Sequence, residues 1–144
     1  PGAKASSDNL TKGPYFLDFA RRVKGVTKVP VILTGGFKTR DQAVDAIASG
    51  AADMVGLARA ITLNPQLAND WLTKDGGDPE FPIFDSNPEG GVTAWYTMRL
   101  TALAEDREDT FELDLPMAMR MYEERDAQRC IKWRAKFSYL HTLP

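Results

Sequence analysis

Two turns of this chain carry residue types that suit the binding of a phosphate group. Gly35 and Gly36 follow a short apolar run, and glycines let the backbone turn tightly and approach a ligand with no Cβ in the way. Arg59 follows a second apolar run, at the place where the first run has its glycines. If the two turns are neighbours, a phosphate between them could accept N–H groups from both and pair with the guanidinium of Arg59.

The helix that follows the first turn begins with a capping sequence. Residues 39–42 read Thr-Arg-Asp-Gln, which is the T-x-x-Q form of a capping box. The first N–H groups of a helix have no partner within that helix, and α/β folds use such groups at the carboxyl ends of strands to bind anions. We therefore expect exposed N–H groups to cluster at the carboxyl end of the strand that precedes this helix.

The segments around the two turns predict a βαβ unit. Residues 31–33 and 53–57 are apolar runs of the kind that form strands buried on both faces, as parallel strands are. The helix between them spans residues 40–49 and ends at Gly50, a residue type that is favoured directly after a helix. The buried stripe expected on this helix consists of Ala43, Val44 and Ile47.

Apolar periodicity predicts further helices on both sides of this unit. They span residues 14–24, a stretch that starts at Asn64 and Pro65, residues 93–106, and residues from Pro116 to about 137. The apolar positions of the last helix are more typical of packing than of cofactor contact, and they include Met117, Met121, Ile131 and Trp133.

The predicted parts do not make a complete sheet. We divide the chain into a part with the two strands (1–73), a surface loop rich in glycine and proline (74–91) and a helical extension of the same domain (92–144). Two parallel strands alone would leave backbone edges unpaired and apolar faces partly uncovered. We therefore expect the remaining strands to come from elsewhere in a longer polypeptide or from another chain.

Composition excludes several classes of function. The chain has 144 residues, 43% of them hydrophobic, and a net charge of -2, which is typical of a globular domain that binds neither nucleic acid nor anionic membranes. No apolar run reaches the ~20 residues that span a bilayer, and no signal peptide is visible, so we predict a cytoplasmic protein. The one cysteine, Cys130, lies in a helical pattern and is predicted to be a small buried hydrophobic residue.

Several segments resemble the old yellow enzyme family of NAD(P)H:flavin oxidoreductases, in particular its fungal and bacterial branch. The similar segments are residues 31–39 (Val-Ile-Leu-Thr-Gly-Gly-Phe-Lys-Thr), 50–59, 64–67 and 94–97, and a pattern of Tyr122, Arg125, Asp126 and Trp133. The resemblance implies an α/β fold made of the last two βα units of a TIM (β/α)8 barrel plus terminal helices. It also implies an enzyme that carries FMN, takes hydride from NADH or NADPH and reduces an activated C=C bond in a small enone-type substrate.

The resemblance also assigns a cofactor site. Gly35 and Gly36 match the phosphate-binding turn after the seventh barrel strand, and the same comparison places Phe37 along the edge of the flavin ring. Ala58 and Arg59 match the Gly-Arg pair after the eighth strand, with alanine in place of the more usual glycine. Because alanine keeps the N–H group, this contact is possible unless the position requires a positive φ.

The groups that the family uses on the substrate side match no position of this chain. These are a His/Asn or His/His pair that holds the carbonyl oxygen of the substrate, and a proton-donating tyrosine. The only histidine, His141, lies in the tail, and the tyrosines suit packing or the surface: Tyr15, Tyr96, Tyr122 and Tyr139. We therefore assign no catalytic residue and no metal ligand, and we expect the chain alone to be inactive.

Two alternatives stay open. The pattern of residues 29–36 together with 50–55 occurs in many TIM barrels that bind phosphate, so the chain could belong to a lyase, aldolase or isomerase that acts on a phosphorylated substrate. It could also be an inactive fragment or subunit that binds only a partner chain, or that forms a homo-oligomer. The flavin content of the purified protein distinguishes these alternatives from a flavoenzyme.

Overall fold

The computed structural model describes residues 13–73, 76–85 and 88–138. The chain divides into two compact units, and the boundary lies between Ile83 and Phe84. The loop predicted for residues 1–12 lies outside the described residues, as do Tyr139 and His141.

The first unit contains the predicted βαβ arrangement. Its elements are α1 (Leu17–Lys24), β1 (Ile32–Thr34), α2 (Arg40–Ala48), β2 (Met54–Gly56), α3 (Ala58–Leu63) and α4 (Leu67–Thr73). β1 and β2 pair in parallel, with Leu33 opposite Val55 and Thr34 opposite Gly56. The prediction of two parallel strands joined by a helix is therefore confirmed, and it agrees with the α/β class.

Helix α2 begins and ends as its sequence predicts. The Thr39 side chain accepts the N–H of Gln42 at 3.2 Å, and the Gln42 side chain accepts the N–H of Thr39 at 3.3 Å, so the capping box is complete. Just past the other end of the helix, Gly50 has a φ of +70°. This is the left-handed conformation that glycine adopts at low cost after a helix.

A carboxylate joins the amino ends of the two strands. Asp53 precedes β2, and its Oδ2 accepts the N–H of Val31 at 2.7 Å. The same carboxylate accepts the Lys24 ammonium at 2.7 and 2.9 Å, so it also connects α1 to the sheet. The hydrogen bond from Lys24 is the main reason that the pKa of Asp53 lies below its ordinary value, and the Val31 N–H acts in the same direction.

The described residues of the first unit cover only one face of the two-stranded sheet. Leu33 is 4% exposed and packs with small and large residues of the helices, namely Ala20, Ala43, Ala46, Leu67 and Trp71. On the other face Ile32 is 63% exposed and Met54 is 57% exposed. This agrees with the expectation that two parallel strands alone leave their apolar faces partly uncovered, because the described helices of this unit reach only one side.

The stripe expected on α2 also differs from the observed one. Ala43 is buried as expected, but the second buried residue of this helix is Ala46, whereas Val44 and Ile47 are more than a third exposed. Helix α2 therefore turns its small residues toward Leu33 and leaves two larger apolar side chains uncovered.

The second unit is helical. It contains α5 (Gly91–Ala104), a short 3-10 turn (Glu108–Thr110) and α6 (Leu115–Phe137). Asp114 caps α6 by accepting the N–H of Met117 at 2.7 Å. Trp95 of α5 donates its indole N–H to the carbonyl oxygen of Leu113 at 2.8 Å, which fixes the chain just ahead of α6. The predicted helices of this region are present within one or two residues of their expected bounds.

The second half of α6 is helical but has no buried residue among those described. The buried residues of α6 are Leu115 and Ala118, which both lie near its beginning. Cys130 is exposed, so the prediction that it is buried is wrong. Ile131 and Trp133 are 68% and 57% exposed, and the packing role predicted for them is not met within the described residues. Periodicity places an apolar residue on a face but does not say whether anything covers that face.

Candidate functional site

The turns after β1 and β2 line one cavity of about 200 Å³. All the residues predicted from the sequence to bind a cofactor contribute to its lining, and these are Gly35, Gly36, Phe37, Ala58 and Arg59. The carboxyl ends of neighbouring parallel strands meet at the same edge of a sheet, which explains why two turns 24 residues apart share a cavity. The structure brings these residues together, while their contact with a ligand stays a prediction.

The backbone of the first turn requires glycine at both positions, whether or not a ligand binds. Gly35 and Gly36 have φ values of +102° and +84°. A Cβ on Gly36 would lie 2.4 Å from the carbonyl oxygen of Gly13, and one on Gly35 would lie 3.2 Å from the ring of Tyr15. The fold would therefore require this pair even without a ligand, so the glycines alone do not establish a phosphate site.

The second turn brings the start of α3 to the cavity. Helix α3 begins at Ala58 without a side-chain cap, and Ala58, Arg59 and Ala60 all line the cavity. Asp106 is the one non-glycine residue with a positive φ in the described part of the chain, so Ala58 does not need the conformational freedom of glycine. The alanine found here in place of the usual glycine is therefore compatible with the expected contact.

Exposed N–H groups were expected at the carboxyl end of β1, but the start of α2, which follows it, does not provide them. The Gln42 side chain accepts the N–H groups of Lys38 and Thr39, and Asp78 accepts the N–H of Arg40 at 2.7 Å. A capping box satisfies these groups rather than offering them to an anion. The expectation is wrong at α2, and the uncapped helix start that borders the cavity belongs to α3.

The cationic side chains around the cavity have different surroundings. Arg59 is half-buried and lines the cavity itself. The guanidine Nε of Arg40 donates to the carbonyl oxygen of Trp71 at 2.7 Å, which ties this side chain to α4. The ammonium group of Lys38 lies 5.2 Å from the ring centroid of Phe81. Arg59 is therefore the arginine among the described residues that line the cavity.

Phe37 belongs mainly to the core. It is 5% exposed and packs in the cluster that contains Leu33 and Trp71, although it also borders the cavity. The predicted contact between Phe37 and a flavin ring is compatible with this position and stays a prediction.

Two aromatic residues that line the cavity were not predicted from the sequence to do so, Tyr15 and Phe81. The Tyr15 ring packs against Gly35 and Gly36, which agrees with the packing role expected for it. Its buried hydroxyl finds no hydrogen-bond partner among the described residues. Phe81 lies in the segment predicted to be a surface loop. An aromatic residue within a stretch rich in glycine, proline and aspartate was the signal that could have singled it out.

The described residues contain neither a metal-binding cluster nor a membrane-crossing helix. No group of three or more His, Cys, Asp or Glu side chains comes close enough there to hold a metal ion. No helix in that part of the chain combines the length and the apolar composition that a bilayer crossing requires.

Comparison with known proteins finds relatives of one kind. A protein from Neonectria sp. (strain DH2), named NADH-dependent flavin oxidoreductase iliE, is 48% identical over 94 residues, which cover 65% of this chain and 12% of that protein. The protein with the same name from Hypocrea jecorina (strain QM6a) is 42% identical over 69 residues, or 46% of this chain and 17% of that protein.

A third relative agrees with these two. NADH-dependent flavin oxidoreductase iccE from Talaromyces variabilis is 43% identical over 54 residues, or 37% of this chain and 13% of that protein. No family model matches the chain, and no solved structure matches it.

These matches confirm the resemblance inferred from the sequence. In each case the matched region spans less than a fifth of the length of the relative. The chain is thus related by sequence to a part of the NADH-dependent flavin oxidoreductases.

Proposed function

We propose that this chain is the FMN-phosphate-binding, C-terminal segment of a flavin oxidoreductase of the old yellow enzyme type, which reduces activated C=C bonds. One observation carries the proposal: the two turns that match the family's phosphate-binding turns border one cavity, together with Arg59. Relatives named NADH-dependent flavin oxidoreductase support it and favour NADH over NADPH as the reductant.

The residues around the cavity fit one end of FMN. An anionic phosphate suits a guanidinium and uncapped main-chain N–H groups, and these occur together at Arg59 and the start of α3. The volume of about 200 Å³ is smaller than the ~300–1,000 Å³ of most cofactor pockets. The cavity therefore suits the phosphate and the adjoining chain of FMN, and further polypeptide would have to surround the ring system.

This chain's residues act by holding and orienting the cofactor. Arg59 would pair with the phosphate, and the N–H groups of Ala58 and its neighbours would donate hydrogen bonds to the phosphate oxygens. The turn at Gly35 and Gly36 would let the backbone approach closely from the opposite side. When bound, FMN supplies the capacity to accept and donate hydride, and the protein contributes binding and orientation.

The uncovered sheet supports a larger barrel. β1 and β2 pair with each other and with no other described strand. Ile32 and Met54 leave an apolar surface on the face that the helices do not reach. Parallel sheets are normally covered on both faces, so we propose that these strands are the last two of a TIM barrel. The other strands would come from the same polypeptide or from a partner chain.

The chain by itself is proposed to be inactive. The family's substrate-side histidine pair and its tyrosine match no position here, so binding of the enone-type substrate would depend on the rest of the barrel. Neither nucleic acid nor a membrane is expected as a partner, and a cytoplasmic location is proposed.

The experiment is to purify the tagged chain under native conditions together with whatever polypeptide completes its sheet. We call this sample the native preparation. Its extracted chromophore is identified by chromatography against FMN and riboflavin, and its mass in solution is measured. The proposal predicts a yellow preparation with one FMN per chain and a mass above that of the chain alone. A colourless preparation that binds a sugar phosphate would instead indicate another phosphate-binding enzyme.

A further inference from the structure

The segment of residues 76–83 places one aromatic side chain on the cavity. It contains neither helix nor strand, yet it is fastened to the first unit near its start, where Asp78 accepts the N–H of Arg40 at 2.7 Å. Three residues later Phe81 is half-buried, packs against the core and lines the cavity. We refer to residues 76–83 as the strap.

Not every large apolar residue of the strap packs against the core. Ile83, two residues further along, is also a large apolar residue but is 81% exposed. The ammonium of Lys38 lies 5.2 Å from the Phe81 ring centroid, which is within the range of a cation–π contact. Two independent contacts, one through Asp78 and one through Lys38, thus hold the strap beside the turn after β1.

Phe81 and Arg59 line the same cavity of about 200 Å³. A group that fills this cavity and pairs with Arg59 would therefore also contact Phe81. An apolar ring that lines the same cavity would also reduce the access of water to the charged contact. Hydrogen bonds between charged groups are stronger where water is excluded, because the local dielectric is lower and salt screens them less.

We propose that Phe81 is a ligand-binding residue: its ring covers the phosphate end of the bound cofactor and shields the contact with Arg59 from water. The inference rests on the proposed function, and it assigns to the strap a role that the sequence alone does not suggest. Cofactor release then requires the ring of Phe81 to move aside, so Phe81 acts on the rate of release and on its sensitivity to salt.

The test measures FMN release from the native preparation, followed by the recovery of flavin fluorescence after dilution, at low and at high salt. Phe81→Ala is expected to release FMN about 5- to 30-fold faster, which is the difference between a shielded charged contact and a surface ion pair. Its release should also depend more steeply on salt than that of the wild type. Phe81→Leu should change both quantities in the same direction but less.

Two further variants separate the possible outcomes. Ile83→Ala removes a large apolar residue from the same strap and is expected to leave release unchanged. Arg59→Ala is expected to accelerate release, and if it does not, or if the preparation is colourless, the proposed function itself has failed. If Arg59→Ala accelerates release but the Phe81 variants keep the wild-type rate and salt dependence, only the role of Phe81 is overturned.

Loss of packing is checked separately, because Phe81 also touches the core. Unfolding of the wild type and of each variant is measured with and without FMN. A ligand contact predicts a larger loss of stability in the FMN-bound form than in the free form. If Phe81→Ala fails to fold, Phe81→Leu alone decides: equal losses in both forms, with an unchanged salt dependence of release, would show a packing role only.

Discussion

The turn after β1 and the turn after β2 border the same cavity, but their backbones are used differently. The first contains two glycines with positive φ that pack against Gly13 and Tyr15, and the helix after it begins with N–H groups bonded to side chains of the chain itself. The second leads into a helix without a side-chain cap and carries Arg59. We therefore propose that the first turn mainly builds the cavity, whereas the second would provide most of the affinity for an anion.

The largest effect on the fold is expected from Gly36→Ala, which tests the structural role of the first turn. A Cβ would lie 2.4 Å from the Gly13 carbonyl oxygen, at a φ of +84°. Backbone strain alone costs roughly 1–3 kcal/mol, and the clash adds to it. We expect the unfolding midpoint in urea to fall sharply, with cofactor binding lost as a consequence.

Gly50→Ala is the matched control for this change. Gly50 also has a positive φ, of +70°, but a Cβ there would meet nothing within 4 Å. Its loss of stability should reflect the strain alone and be clearly smaller. Equal losses at the two positions would contradict the close packing that we infer beneath Gly36.

A smaller effect is expected from Thr39→Ala, which removes one half of the capping box of α2. Loss of such a cap costs about 0.5–2 kcal/mol of stability. Because the N–H groups at this helix start are bonded within the chain, FMN affinity should change little once the folded fraction is taken into account. Chemical denaturation and FMN titration of the same samples measure both quantities.

Ser49→Ala, at the other end of α2, serves as its control and should stay within about 0.5 kcal/mol of the wild type. If Thr39→Ala instead weakened FMN binding as much as a change at Arg59 does, the division of roles between the two turns would be wrong.

The smallest effect is expected at Asp53, which lies at the amino ends of the strands rather than at the cavity. Its pKa is lowered in the folded state by Lys24 and by the Val31 N–H, so it adds stability at pH values above the ordinary pKa of an aspartate. This contribution is lost as the pH falls through the lowered pKa.

The stability difference between the wild type and Asp53→Asn should therefore be constant near neutral pH and shrink in acid. Asp45→Asn, an exposed position on α2, is the control. A difference that grew as the pH fell would contradict the hydrogen bonds assigned to Asp53. FMN affinity at neutral pH should be nearly the same in all three proteins.

The sequence predicts the parts of this site that depend on local pattern. The capping box at Thr39 and the parallel order of β1 and β2 follow from neighbouring residues, and the parallel order brings Gly35 and Arg59 to one edge. The sequence does not reveal that Asp78 uses the N–H of Arg40, because that contact spans 38 residues through an irregular segment.

Burial is the other property that local pattern does not determine. Phe81 lies in a loop and yet contributes to the cavity, while Cys130 lies on a helix and yet is exposed. In both cases the outcome depends on which other part of the chain covers the residue. Periodicity therefore predicts the helices well but their buried faces only in part, as Val44 and Ile47 on α2 also illustrate.

The most direct test compares FMN with riboflavin, which lacks the phosphate, in native preparations stripped of flavin. Calorimetric titration is performed on the wild type, on Arg59→Ala and on Arg21→Ala, a matched control at an exposed arginine that pairs with Asp18. The wild type and the control should bind FMN more tightly than riboflavin. Arg59→Ala should weaken FMN binding about 10- to 100-fold and leave riboflavin binding unchanged, since a hydrogen bond to a charged group contributes about 1.5–3 kcal/mol. Equal affinities for FMN and riboflavin in the wild type, or an equal loss for both in Arg59→Ala, would contradict a phosphate site between the two turns.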